Sequence, residues 1–190
     1  MKNTLLALIA GFLVVAPLTA AAGEAVDAAT RAESLLAEKS YTAALAAAGE
    51  AQQAIWDASP LTVQRALFVA SDPGGFGIFD MREGNTFKRS EPLIIYAEPL
   101  GFGYGRDGEL YVIDLGLDFI IKSADGKEVA RQENFGSLTM RSRVANKEFM
   151  AKLNYDFSGV PAGAYAVTTV LKDKNSGKTA EFTLDFTLTE

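Results

Sequence analysis

The stretch FMAKLNYDFSGVPAGAYAVTTVLKDKNSGKTAEFTLDFTL, residues 149–188, decides the fold because it alternates apolar and polar residues through three runs. In the first run Phe149, Ala151, Leu153, Tyr155 and Phe157 are apolar, and Lys152, Asn154 and Asp156 are polar. Tyr165, Val167 and Leu171 share one face of the second. Phe182, Leu184, Phe186 and Leu188 share one face of the third, with Thr183, Asp185 and Thr187 opposite. A period of two sends successive side chains to opposite faces of a strand, so each run predicts one buried and one wet face. Val160-Pro161-Ala162-Gly163 and Asp173-Lys174-Asn175-Ser176-Gly177 separate the runs with turn-forming residues. The expectation is an antiparallel meander within a β-sandwich.

Working upstream, Tyr111, Ile113, Leu115, Leu117, Phe119 and Ile121 alternate with polar residues and end at Ala124-Asp125-Gly126-Lys127, a hairpin signal. Glu128 to Glu133 returns, and Leu138, Met140 and Val144 suggest a further strand. Leu61 to Val69 and Leu93 to Glu98 read as strands, and Phe76 to Met81 as a short edge strand. This gives about eight strands with no helical period between them, which favours a sandwich over an α/β fold.

Glu24 to Ala58 differs in composition: alanine dominates and proline is absent. Two helices fit, roughly 24–38 and 41–57, with Ser40 capping the second. Val26, Ala29, Ala32 and Leu36 line one face of the first, and Tyr41, Leu45, Ala48, Gln52 and Ile55 one face of the second. Part of this segment is similar to a tetratricopeptide repeat, but no second copy exists for it to stack on. The expectation is a helical hairpin over residues 23–58 preceding a β-domain over residues 61–190.

Residues 1–22 have the pattern of a secretory signal. Lys2 supplies the positive end, Leu5 to Val15 the apolar core, and Ala20-Ala21-Ala22 a small-residue cleavage site. The protein is therefore expected in the periplasm or secreted, without stable membrane insertion after cleavage. The chain has 18 Lys and Arg against 24 Asp and Glu, a formal net charge of −6. An acidic balance without a basic stripe argues against nucleic-acid partners.

Val160-Pro-Ala-Gly-Ala-Tyr165-Ala-Val167, followed by Leu171 to Lys178, resembles the last hairpin of bacterial immunoglobulin-like and fibronectin-like modules. The resemblance covers about 30 residues and implies an immunoglobulin-like antiparallel β-sandwich. It implies that Tyr165 is a structural corner whose hydroxyl bonds to backbone upstream. The paired cysteines and mid-strand tryptophan of such modules are missing, and the one tryptophan, Trp56, lies in the helical segment.

There is no histidine and no cysteine. That excludes Ser-His-Asp and Cys-His catalysis and removes the usual zinc, copper and iron ligands. Gly103-Tyr-Gly-Arg-Asp-Gly108 matches a dinucleotide-binding string, but strand residues follow it where a helix is needed. Ser176-Gly177-Lys178-Thr179 lacks the phosphate-loop partner glycine, since Lys172 stands there. Asp173, Asn175 and Gly177 have the spacing of a calcium loop without its glutamate, so they read as a turn. Asp114 and Asp118 lie about 13 Å apart along one strand, too far for a glycosidase pair, and read as a solvated sheet face. No catalytic residue, metal ligand or cofactor is assigned.

The remaining candidates are aromatics among glycines: Phe76 and Phe79 in Gly74-Gly-Phe-Gly-Ile-Phe, and Phe102, Tyr104 and Arg106 in Gly101-Phe-Gly-Tyr-Gly-Arg. Such rings could stack on a sugar or grip a peptide; alternatively they fill gaps that glycine leaves in a sheet. The expected function is non-catalytic binding or scaffolding, with a protein or glycan of the cell envelope as partner. A carbohydrate-binding or carboxylate-dependent glycan-active protein is one alternative. An assembly component that oligomerises through the helical segment or an edge strand is the other.

Overall fold

In the computed structural model of the protein the described residues are 18–190, and they form a mainly β structure preceded by two helices. The segment read as an export signal lies outside the described residues, apart from the start of the first helix at Leu18. The chain divides into two compact units, one ending at Ile55 and one running from Trp56 to Glu190. The division falls a few residues before the expected boundary at Ala58, because the Trp56 ring belongs to the core of the second unit.

In the first unit α1 (Leu18–Ala37) and α2 (Tyr41–Ala58) are joined by a tight turn. Lys39 takes a left-handed conformation at φ 61°. The Ser40 N–H then reaches the Leu35 carbonyl and the Lys39 N–H the Leu36 carbonyl. That is the Schellman pattern, here closed by lysine in place of the usual glycine. Ser40 opens α2 as expected: its carbonyl accepts the Ala44 N–H at 2.9 Å. The buried seam is made of Ala28, Ala44, Ala47 and Ala51, and Arg31 pairs with Glu50. The large side chains of the two expected stripes, Val26, Leu36, Tyr41, Leu45 and Ile55, are all exposed. Each helix carries two apolar stripes, and the smaller side chains permit the closer backbone approach, so alanine takes the seam.

The second unit contains nine strands among its described residues. These are β1 (Thr62–Phe68), β2 (Thr86–Lys88), β3 (Leu93–Leu100), β4 (Gly105–Asp107), β5 (Leu110–Ser123), β6 (Glu128–Ser142), β7 (Ala151–Tyr155), β8 (Gly163–Asp173) and β9 (Thr179–Thr189). One sheet has the order β1-β3-β7. The other has the order β2-β9-β8-β5-β4, with β6 also paired to β5. All pairings are antiparallel except β2 with β9.

The expected meander is therefore only two-thirds right. β8 and β9 form the hairpin, from Gly163 opposite Leu188 to Lys172 opposite Thr179. β7 joins the other sheet, where it pairs with β3. Alternation reports which face is buried and is silent about which strand lies alongside. Phe76 to Met81, expected as an edge strand, makes only isolated bridges. The two strands expected after Asp125 are one, β6, which is interrupted where Asn134 turns left-handed at φ 52°.

The core lies between the sheets. Leu93 and Ile95 of β3 and Leu153 of β7 meet Leu115, Leu117, Val167, Leu171 and Phe186. Leu117, Phe149 and Phe186 are buried, as the alternation requires. A column of stacked rings runs through it: Phe135, Tyr155, Phe157, Phe186 and Tyr165, with centroids 4.9–5.8 Å apart. The Tyr155 hydroxyl lies 2.7 Å from the Thr169 hydroxyl, and burial pushes Tyr155 up to about 12. The Tyr165 hydroxyl donates to the Pro161 carbonyl at 2.9 Å, the upstream bond expected of it.

Asp118 corrects the reading of a solvated sheet face, because it is buried. Burial alone would raise its carboxyl. The Lys172 ammonium and the Asn134 N–H at 2.8 Å outweigh that and hold it below the usual carboxylate range. The irregularity in β6 thus exists to aim a backbone donor at a buried charge. Asp114 is paired with Lys174 at 2.8 Å.

Candidate recognition surface

The five aromatic and cationic candidates fall in two separate places. Phe102, Tyr104 and Arg106 follow β3; Phe76 and Phe79 sit in the loop between β1 and β2.

The segment 101–106 is a structural clasp. Phe102 is completely buried, against edges of Trp56 at 4.9 Å, Tyr104 at 5.5 Å and Phe149 at 5.8 Å. Trp56 Nε1 donates to the Phe102 carbonyl at 2.8 Å. Asp173 Oδ2 accepts the Gly103 N–H at 2.6 Å and the Ser176 hydroxyl. Asn175 Nδ2 donates to the carbonyls of Gly103 and Val112. Lys178 Nζ donates to the carbonyls of Asp57, Ser59 and Gly101. The β8–β9 turn is therefore the other jaw of this clasp, and both carboxylate oxygens of Asp173, the first residue of its calcium-like spacing, are occupied by protein donors. Tyr104 donates to the Asn146 carbonyl at 3.0 Å, and burial, with a smaller push from the Asp57 carboxylate, raises it to about 12. Arg106 lies 3.5 Å over the Tyr111 ring. Phe102 is thus removed as a ligand contact: a ring with no accessible surface cannot touch a ligand.

The loop after β1 has the opposite character. Its stem is a narrow hairpin: Ala70 N–H bonds Asp80 O, Arg82 N–H bonds Phe68 O, and Val69 bridges Met81. Its tip closes through Gly74 N–H to Ile78 O at 2.9 Å and Ile78 N–H to Gly75 O at 3.1 Å. Gly77 sits at φ +70°, where a side chain is strained.

The loop rests on the outer face of the three-stranded sheet. Tyr96 and Glu98 point there from β3, because the alternate residues Leu93, Ile95 and Ala97 fill the core. Arg65 stands opposite Glu98 on β1, and Lys152 opposite Tyr96 on β7. The Tyr96 hydroxyl accepts the Gly77 N–H at 2.7 Å and donates to Glu98 Oε1 at 2.7 Å. Arg65 Nε lies 3.5 Å from Glu98 Oε2. The Phe79 ring packs on Tyr96 with centroids 4.3 Å apart. Asp72 and Lys152 pair at 2.8 Å. Burial raises the Tyr96 phenol, so it stays protonated and able to donate.

The consequence is a firmly seated loop with an apolar tip. Phe79 is used inward, while Phe76, Ile78 and Met81 present 37 %, 65 % and 68 % of their surface to solvent. Ile78 and Met81 escape a search for aromatics among glycines. The anchor Tyr96-x-Glu98 leaves a trace in sequence: a carboxylate ending an apolar run, two residues after a tyrosine on the same strand face. Chemically, both Glu98 oxygens and the Lys152 ammonium already have partners, so this cluster fixes a loop and has no free acid–base pair.

No protein-family model matches the chain, and no curated protein matches it. Among solved structures, Spo0M, a sporulation control protein from Bacillus subtilis, aligns at 14 % identity with a TM-score of 0.36. The alignment covers 70 % of this chain and 50 % of that one.

Proposed function

We propose that this is a non-catalytic binding or scaffolding protein, exported to the periplasm or beyond, that recognises an envelope protein through its Phe76–Met81 loop. The observation that carries the reading is the apolar loop tip held on a polar anchor. A preordered tip binds without the cost of ordering it. Export is supported by the signal-like residues 1–22. Among the described residues no helix is long and apolar enough to cross a membrane. An immunoglobulin-like sandwich is supported by two sheets sharing one core and by the Tyr165 corner bond.

The lack of histidine and cysteine, with Asp118, Asp173 and Glu98 all engaged by protein partners, favours binding over carboxylate catalysis. The test is capture of envelope proteins by the purified chain and by the Ile78→Asp, Met81→Asp double variant. The expected result is loss of a specific captured protein with an unchanged melting temperature. Unchanged capture would overturn the loop's role, and binding on a glycan array would move the assignment to carbohydrate recognition.

A further inference from the structure

We infer that the helical hairpin is a dimerisation element, and that its second, outward apolar stripe is covered by the same stripe of another copy of this chain. The inference is independent of the recognition loop.

The hairpin has two apolar surfaces, and among the described residues only one is covered. The alanine seam of Ala28, Ala44, Ala47 and Ala51 joins α1 to α2. On the other side Val26, Leu36, Tyr41 and Leu45 expose 64 %, 56 %, 59 % and 75 % of their surface. Along α2 the residues Tyr41, Leu45, Ala48 and Gln52 recur at spacings of four, three and four, which is the seam repeat of helices that pack lengthwise. Along α1 Val26, Ala29, Glu33 and Leu36 recur at three, four and three. A groove of about 370 Å³ runs between the two stripes, bordered by Leu36, Tyr41, Leu45 and Ala48, and its lining is almost wholly apolar.

Spacing identifies the class of occupant and area identifies the copy. A stripe with helical seam periodicity fits another helix, since its ridges and grooves repeat with the pitch of one. Four half-exposed large side chains with the intervening alanines leave roughly 500–600 Å² of contiguous apolar surface, at the upper end of what monomers present. Apposing two such faces about a two-fold axis buries roughly 1,000–1,200 Å², the threshold of a specific interface. The α2 stripe contains no charged residue, and Glu33 of α1 is the one charged residue that borders the groove. The seam itself buries little, because alanine offers small area. A two-helix hairpin of this kind gains its missing apolar layer from four-helix association.

The test is sedimentation of the full chain, expressed from its own N-terminus, up to about 100 µM, above the micromolar dissociation constants such interfaces reach. A dimer is expected. Leu45→Glu should weaken it at least about thirty-fold, as a buried charge at an interface centre does. Leu45→Ala, which leaves the helix former in place, should weaken it by a smaller factor. Helical circular dichroism at equal concentration confirms that both variants fold. A wild-type chain that stays monomeric at the highest concentration overturns the proposal. So does a dimer whose dissociation constant is unmoved by both substitutions, because another surface then holds it.

Discussion

Two segments of this chain share one composition and come to opposite ends. Gly74-Gly-Phe-Gly-Ile-Phe and Gly101-Phe-Gly-Tyr-Gly-Arg both set aromatics between glycines. In the second, Phe102 is sealed in the core, and the carbonyls of Gly101, Phe102 and Gly103 and the N–H of Gly103 are held by Lys178, Trp56, Asn175 and Asp173. In the first, the backbone is held at one point by Tyr96, Phe79 turns inward, and Phe76 and Ile78 remain outside. What separates them is the partner supplied by distant sequence. The clasp is met by a turn some 70 residues away that carries an aspartate, an asparagine and a lysine. The loop is met by a tyrosine–glutamate pair that satisfies one N–H and stops. Glycine permits close approach, and the approaching residues decide whether the result is core or contact surface.

Truncation should expose this contrast most strongly. Phe102→Ala is expected to cost about 3–5 kcal/mol of unfolding free energy, the range for a fully buried ring. Ile78→Ala should stay within about 0.5 kcal/mol, as an exposed side chain does. Denaturant melts of the two variants measure both, and equal costs would erase the distinction between clasp and loop.

The glycines sharpen it next. A Cβ at Gly101 would stand 2.3 Å from the Pro60 carbonyl oxygen, and the backbone there is at φ +75°. Gly101→Ala should cost roughly 2–4 kcal/mol, combining left-handed strain with overpacking. Gly77→Ala shares the positive φ but meets open space, so about 1 kcal/mol is expected. A thermal-shift comparison with the two in reverse order would contradict the account.

Tyr96→Phe removes the hydroxyl that joins Gly77 to Glu98 and should cost about 1 kcal/mol. Its clearer signature is local. Hydrogen exchange at Gly77 should quicken while amides of β5 and β8 keep their protection. Uniform loss of protection would mean that the loop and the two sheets unfold as one.

The last effect is alkaline. Tyr104 of the clasp and Tyr155 of the ring column both titrate at about 12 in the folded chain, against about 10 when unfolded. A raised phenol pKa stabilises fully below pH 10, and that contribution disappears as pH rises from about 10 to about 12. Tyr155→Phe should flatten this fall. Stability that rises over the same window would reverse the assignment of both phenols.

Much of this was legible in the chain. The alternating runs located β5, β8 and β9 to within a few residues, because one-sided burial forces a period of two. The upstream hydroxyl bond of Tyr165 was implied by the resemblance of its hairpin to immunoglobulin-like modules. The helical stripes were legible as faces but not by what covers them, since periodicity shows an apolar face without naming its neighbour. Asp118 failed for a related reason: a charge on a strand reads as wet until a lysine on β8 and a backbone donor on β6 meet it.

The sequence by itself determined the long strands β5, β8 and β9, the two helices, and the lack of the side chains for Ser-His-Asp and Cys-His catalysis, because these depend on local stereochemistry and side-chain type. The tertiary structure alone decided that β7 leaves the β8–β9 hairpin for another sheet. It also decided that one glycine-rich segment closes while the other stays open. Those outcomes turn on contacts between residues 19 to 77 positions apart, whose energies no local window contains.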